Sequence, residues 1–158
     1  MTVDLTSHSE EAALFNPAFV GLLLAASARE YAIASGDRMP FSIAFVLIPM
    51  ALHAGTRAAL PGRANAHISK WVLDNPVLQA DLPERASLLR ETVRAGLRYA
   101  VRSGSIEITG WELRSRIGRV QLPTRDANEC LSSARLLARW FSRSGGAEDI
   151  YLTLGVRP

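Results

Sequence analysis

The apolar positions of this chain repeat with a helical period in most blocks and with a period of two in only one. The first block, "FNPAFVGLLLAASAREYAIASG", is bracketed by signals for one helix. Asn16 suits an N-cap, Pro17 the first helical position and Gly36 the end. Phe19, Leu22, Leu23, Ala26, Tyr31 and Ile33 form its broad apolar face. After the turn Ser35-Gly36-Asp37-Arg38, a second helix is expected from near Pro40 to just before Pro61. It is apolar almost all round from Phe41 to Leu52, which places it in the middle of the fold or under a partner, and Pro49 should bend it. A short helix around Ile68 to Asp74 is broken by Asn75-Pro76. A longer helix is then expected from about Pro83 to Arg102, with Leu89, Val93, Gly96, Leu97, Ala100 and Val101 as its apolar stripe.

The period-two block is "SIEITGWELRS". With Thr109-Gly110 as a two-residue turn, Ile108 would face Trp111 and Ile106 would face Leu113, all on one side of a hairpin. Beyond it, Cys130, Ala134, Leu137 and Phe141 line a further amphipathic helix ended by Gly145, with Asp126 and Glu129 as its capping box. A last short helix closes at Gly155. The expected fold is mainly α with a small β-hairpin, a winged-helix-like compact helical domain. Residues 1–14 read as a flexible tail and 15–158 as a single domain. Within it lie an N-terminal helical lobe (15–62), a winged-helix-like part (66–122) and C-terminal helices (124–158).

Composition narrows the class of protein. A chain of 158 residues with 48% hydrophobic and 21% charged residues can bury a real core. The longest apolar run, Phe41 to Leu52, falls short of the roughly 18–20 residues that span a bilayer, so no membrane partner is expected. "MTVDLTSHSEEAALF" is acidic and lacks the basic start of a secretory signal. Cys130 stands alone, which excludes a disulfide framework and a thiolate metal cluster. These features favour a cytoplasmic protein.

Charge is unevenly placed. Residues up to Glu84 include five basic and eight acidic side chains, and those beyond include thirteen and seven. Lys70 is the one basic residue that is not arginine. Arginine forks onto carboxylates and phosphates, so the C-terminal half is suited to an acidic partner. The stretch "RETVRAGLRYAVRSG" sets Arg90, Arg94, Arg98 and Arg102 four apart. Such a row drifts about 40° per step and spreads over ~120° of an ideal helix, wide for one groove-reading edge.

Catalytic signatures are missing. The chain has no GxxxxGK[ST], GxGxxG, HExxH or GxSxG. His8 falls in the tail, His53 at a helix end where it should cap carbonyls, and His67 in a solvated loop. The pairs Asp126 with Glu129 and Glu148 with Asp149 lie at helix starts, where the dipole stabilises carboxylates regardless of chemistry. Cys130 reads as a small core residue. Arg57, beside Thr56, should satisfy carbonyls at a helix end or pair with a buried acid. No enzyme activity, cofactor, metal or small-molecule substrate is expected.

The blocks "NPAFVGLLLAASAREYAIASGDRMPFSIAFVLIPMALHAGTRAALPG", "SKWVLDNPVL", "RETVRAGLRYAVRSG" and "ARWFSRSGGAEDIYLTLGVRP" together resemble the middle component of bacterial three-component ABC ATPase systems. The best marks are Asn16-Pro17, Leu52-His53 to Thr56-Arg57 with Leu60-Pro61, Asn75-Pro76 and the ending Leu154-Gly155-Val156-Arg157-Pro158. The resemblance implies a small non-catalytic subunit working with an ABC ATPase of the SMC or Rad50 type and an effector, often a nuclease, as in Lamassu-like antiviral defence. In that arrangement the ATPase senses foreign DNA and the middle subunit couples its state to the effector.

Three readings of the arginine row follow. In an adaptor, the apolar second helix and a tryptophan or two bury against the ATPase, while the arginines meet acidic partner residues or DNA backbone held in the complex. In an autonomous winged-helix DNA binder or regulator, they contact phosphates and affinity falls steeply with salt. In the third, the row is a solvated face partly neutralised by Glu84, Glu91 and Glu107. The candidate partner or DNA-docking residues are Arg90, Arg94, Arg98, Arg102, Arg114, Arg116, Arg119 and Trp111.

Overall fold

Helix α1 (Pro17–Ser35) starts and stops at its sequence signals. Asn16 Oδ1 accepts the Ala18 N–H at 2.8 Å, and Gly36, in the left-handed region at φ 79°, donates its N–H to the Ala32 carbonyl. The structure, a computed structural model, describes residues 15–157. The expected tail 1–14, with His8, lies outside the described residues.

The middle of α1 is buried on almost every side, from Val20 to Ala28. It packs between the two most amphipathic helices, α6 (Arg90–Arg102) and α7 (Arg125–Ser142). Ser27, buried among these contacts, donates to the Leu23 carbonyl at 2.7 Å and leaves no orphan polar group. By length and composition α1 is apolar enough to cross a bilayer, contrary to the expectation that no segment is; about half of it is buried inside the chain. Ile33, expected on the buried face, is 64% exposed because the last turn of α1 projects beyond the core.

The approach of α6 to α1 sets their geometry. Gly21 and Gly96 face each other closely: a Cβ on Gly96 would stand 2.4 Å from Val20 Cγ1, and one on Gly21 would stand 2.9 Å from the Gly96 carbonyl oxygen. Glycine is required here for space, since the two backbones nearly touch.

The chain then makes β1 (Met39–Pro40), one 3-10 turn (Phe41–Ile43) and α2 (Ala44–Leu52). Ala44, Val46 to Ala51 are all buried by the chain itself, so α2 is not the free apolar surface that the adaptor reading had assigned to the ATPase. Pro49, expected to bend this helix, lies inside α2, and the single helix expected as far as Pro61 is instead broken at His53, where the backbone is extended at φ −93°, ψ 115°. His53 Nδ1 lies 3.1 Å from the Thr56 N–H and 2.9 Å from its hydroxyl, so the ring caps the start of α3 (Ala54–Ala59) rather than carbonyls. Arg57 returns to donate to the Ala51 carbonyl at 3.0 Å, as its place near a helix end suggested.

α4 (Ile68–Asp74) ends at Asn75, as expected, and α5 (Pro76–Leu88) begins directly at Pro76. The single helix expected over Pro83 to Arg102 is instead the end of α5 followed by α6, with Leu89 leaving helical geometry between them. The break lets α5 lie on α2 while α6 lies along α1. Trp71 and Trp140 are buried, 6.0 Å apart, and donate their indole N–H groups to the carbonyls of Ala59 and Ala66. They hold the 60–67 loop onto the core.

β2 (Ile106–Thr109) and β3 (Glu112–Ser115) form the hairpin, and β1 joins it to give the antiparallel order β1-β3-β2. The expected register is corrected: Ile108 faces Leu113 and Ile106 faces Ser115, so the turn residues are Gly110 and Trp111. Gly110 at φ 62° opens the turn one residue later than Thr109-Gly110 would. Ile106 and Leu113 are buried as expected; Ile108 and Trp111 are not, because they sit at the open end and the tip. Helix, short strand, helices, a further helix and hairpin, with the first strand beside the last, is compatible with a winged-helix-like arrangement carrying extra helices.

Thr124, not Asp126, caps α7, its hydroxyl accepting from the Ala127 N–H at 3.3 Å, while Glu129 pairs with Arg125 at 3.2 Å. α7 stops at Ser142, three residues before the Gly145 that was expected to end it, as its last turn tightens onto Phe141 and Trp140 carbonyls. α8 (Ala147–Leu154) closes at Gly155, φ 72°.

Gly96→Ala is expected to lower unfolding stability by about 1–3 kcal/mol, since α6 must move off α1. Urea unfolding followed by far-ultraviolet circular dichroism measures this; an unchanged midpoint would show that the helices do not touch as described.

Candidate functional site

The eight residues singled out by sequence do not form one patch. Arg98 and Arg102 are exposed on α6 and have no salt bridge among the described residues. Arg114 and Arg116 converge on Glu107 across the hairpin, a solvated cluster of small energetic weight. Arg119 is exposed in the segment after β3. Arg90, Arg94 and Trp111 are different, because other segments of the chain are brought to them.

Arg90 and Arg94 lie along one side of an open groove of about 580 Å³. Its floor is Phe41 from the 3-10 turn, Phe45 from the start of α2, Pro83 and Ala86 from α5, and Val156 from the tail of α8. Arg157 supplies a third cation, and among the described residues no acidic side chain lines the groove. Neither Arg90 nor Arg157 has a salt bridge among the described residues; Arg94 pairs with its helix neighbour Glu91, both exposed.

Each wall has a local cause. The end of α8 is a Schellman turn: the Gly155 N–H bonds the Leu152 carbonyl and the Val156 N–H bonds the Tyr151 carbonyl at 3.1 Å. Gln79 of α5 donates to the Leu154 carbonyl at 3.0 Å, and a Cβ on Gly155 would stand 2.6 Å from that same amide. Val156 and Arg157 are thereby held against the groove. Tyr151 donates its hydroxyl to the Ser42 carbonyl at 2.6 Å. Burial pushes that phenol up to about 12, against the pull of Arg90, so it remains a neutral donor.

Trp111 extends the floor outward. Its carbonyl accepts the Phe41 N–H at 2.7 Å, continuing the β1–β3 pairing past Pro40. The ring lies 6.3 Å from that of Phe41, which lies 5.6 Å from Phe45 in an edge-to-face arrangement. At 79% exposure Trp111 is the one tryptophan of the three outside the core. Phe41, Phe45, Tyr151 and Arg157 were not among the docking candidates; the hints were the apolar run from Phe41 to Leu52 assigned to the core or a partner, and the quoted ending that holds Arg157.

Some of the remaining candidates have structural tasks, while Asp126 and Glu148 stand exposed at helix starts. Asp149 Oδ2 accepts the Gly146 N–H at 3.1 Å, and Glu129 is engaged by Arg125. Cys130 is fully buried, and burial raises its thiol. His67 is exposed at the start of α4, as expected of a loop histidine.

The groove thus joins an apolar floor to a rim of three arginines. The family model described as "ABC-three component (ABC-3C) system Middle Component 3" matches residues 6–158. The chain belongs to that family. No curated protein and no solved structure matched it in the comparisons. A middle component is part of a multi-component ABC system, which gives it partner proteins and supports an adaptor role.

The middle component's His53 is expected to make its stability depend on pH. Burial first, then Arg85 and Arg57, hold its pKa below the ordinary 6.5, with Asp81 opposing them. The unfolded chain therefore takes up a proton near pH 6.5 and the folded one only at lower pH, so stability should fall as pH drops below about 6.5. Protonation would also remove the acceptor that caps α3. Chemical unfolding at stepped pH should show this slope in the native chain and a weaker slope in His53→Gln; equal slopes would refute the assignment.

Proposed function

We propose that this middle component is a non-catalytic, cytoplasmic docking subunit of a Lamassu-like antiviral defence complex, joining an SMC- or Rad50-type ABC ATPase to an effector protein. The observation that carries this reading is the face made by Trp111, Phe41 and the arginine-rimmed groove. It combines the residue types that dominate protein interfaces, aromatic and arginine, in one continuous surface built on rigid elements. The family match supports the assembly, and the resemblance in sequence to the ATPase-associated components supports the choice of partners. Of the groups that sequence alone had offered for acid–base or nucleophilic work, Asp149 serves a cap, Glu129 an ion pair and Cys130 the core, while Asp126 and Glu148 stand exposed at helix starts away from the groove, which supports a role without turnover.

A second reading has its own support. Arg98 and Arg102 point outward from the helix that precedes the hairpin, the position from which a winged-helix-like module meets duplex DNA. DNA backbone contact within the complex fits both readings, whereas autonomous binding fits only the second.

Co-expression with the products of the neighbouring genes, followed by size-exclusion chromatography, tests the proposal. A stable complex containing an ABC ATPase is expected, and Trp111→Ala combined with Arg90→Glu should weaken it about tenfold or more without unfolding the subunit. The isolated subunit should bind duplex DNA weakly at about 150 mM salt. Absence of any complex, together with micromolar duplex binding by the subunit alone, would favour the regulator instead.

A further inference from the structure

The groove beside Trp111 also carries information about what occupies it. Its floor is apolar, and its one buried polar group with donor capacity, the Tyr151 hydroxyl, is already committed to the Ser42 carbonyl. Polar side chains other than this tyrosine and the arginines are confined to the Ser42 and Ser87 hydroxyls among the described lining residues. Phe41 and Phe45 meet at an interplanar angle of 87°, so they do not form a parallel slot for a flat ring. Duplex DNA would present phosphates but nothing to cover Phe41, Phe45 and Trp111.

The apolar floor fits one kind of ligand well. Trp111 neighbours Phe41 at 6.3 Å and Phe41 neighbours Phe45 at 5.6 Å, so the floor and the outlying indole form one apolar surface. An amphipathic helix laid in a groove offers a stripe of apolar side chains at i, i+4 and i+7 or i+8 to cover such a surface. Charge specifies the flank. Among the described residues the groove lining holds Arg90, Arg94 and Arg157 and no acid, and two of these three have no carboxylate of their own. Each is carried on an exposed, preformed element, and a partner carboxylate would meet a bidentate fork without disturbing an existing buried pair.

We infer that the groove and Trp111 receive an amphipathic helix of a partner protein, with an apolar stripe at four-residue spacing and acidic residues along the stripe's edge. This rests on the docking reading above and names the chemistry of what docks.

The probe is a capped helical peptide with leucines at i, i+4 and i+7 flanked by glutamates, compared with a version carrying glutamine for glutamate and one carrying alanine for leucine. Trp111 is the exposed tryptophan, so its covering should shift emission to the blue, and Trp111→Phe should abolish that signal; anisotropy of labelled peptide gives the affinity independently. The acidic leucine peptide is expected to bind at least about tenfold more tightly than either control. Arg90→Glu with Arg157→Glu, both at exposed positions, should erase the preference for glutamate, and Phe41→Ala the preference for leucine. Binding of the neutral peptide within about twofold of the acidic one, no binding of the acidic peptide up to about 1 mM, or a Trp111 shift produced by ATP or duplex DNA and not by the peptide, would overturn the inference. Assembly with the neighbouring gene products is scored separately with the Arg90→Glu/Arg157→Glu variant. A complex that forms and is unaffected refutes this use of the groove and leaves docking elsewhere, whereas no complex with even the native chain refutes docking itself.

Discussion

The near-contact of two backbones at Gly21 and Gly96 fixes where everything else lies. With no Cβ on either side, α6 descends onto α1 until Val20 fills the space above Gly96. That places Val93, Leu97 and Ala100 in the core and turns the opposite side of α6 to solvent. The hairpin follows α6 after a short turn, and β3 in turn packs on α1 and pairs with β1. The position of the hairpin tip, and so of Trp111, is therefore set by how closely the two helices approach. Dispersion and burial reward the close fit, and a single methyl group would oppose it.

Once α1 and α2 have used their apolar surface on the core, little is left over. Trp71, Trp140 and Phe141 are enclosed, with both indole N–H groups given to loop carbonyls. What remains uncovered is confined largely to side chains at ends and edges, among them Leu73, Val77, Leu88 and Trp111. Trp111 has an aromatic neighbour, Phe41, that leads into a groove lined by three cations. The middle component thus combines a conventional helical core with one surface whose chemistry the core does not require. That division suits a subunit whose task is to hold other proteins.

The ends of α1 and α8 were legible because single residues dictate them: asparagine and proline at the start of α1, and glycine in the left-handed region at the end of each. The breaks at His53 and Leu89 were not. Neither residue is a helix breaker, and each break depends on tertiary packing or on a side-chain cap three residues away. The hairpin was legible as a hairpin, but its register was not. Alternation alone favours placing Trp111 with the other apolar residues, whereas Gly110 opens the turn one residue later and leaves the indole at the tip. Of the groove, the sequence pattern picked out Arg90 and Arg94 as docking candidates and Phe41 as the head of an apolar run, without joining them. Phe41, Tyr151 and Arg157 lie 49 to 67 residues away from Arg90 along the chain, and no local pattern links them. The arginine row itself was misleading as a unit, since its drift around α6 sends two members to the groove and two to open solvent.

The central claim is that partners engage the middle component through the surface shared by Trp111, Phe41 and the groove. Hydrogen–deuterium exchange on the subunit alone and in its purified complex tests that claim most directly. Protection is expected at the 39–45 segment, the hairpin tip and the 151–157 segment, with α3 and the start of α7 unchanged. Protection confined to α3 and the start of α7, with the hairpin tip and the 151–157 segment exchanging as in the free chain, would contradict it.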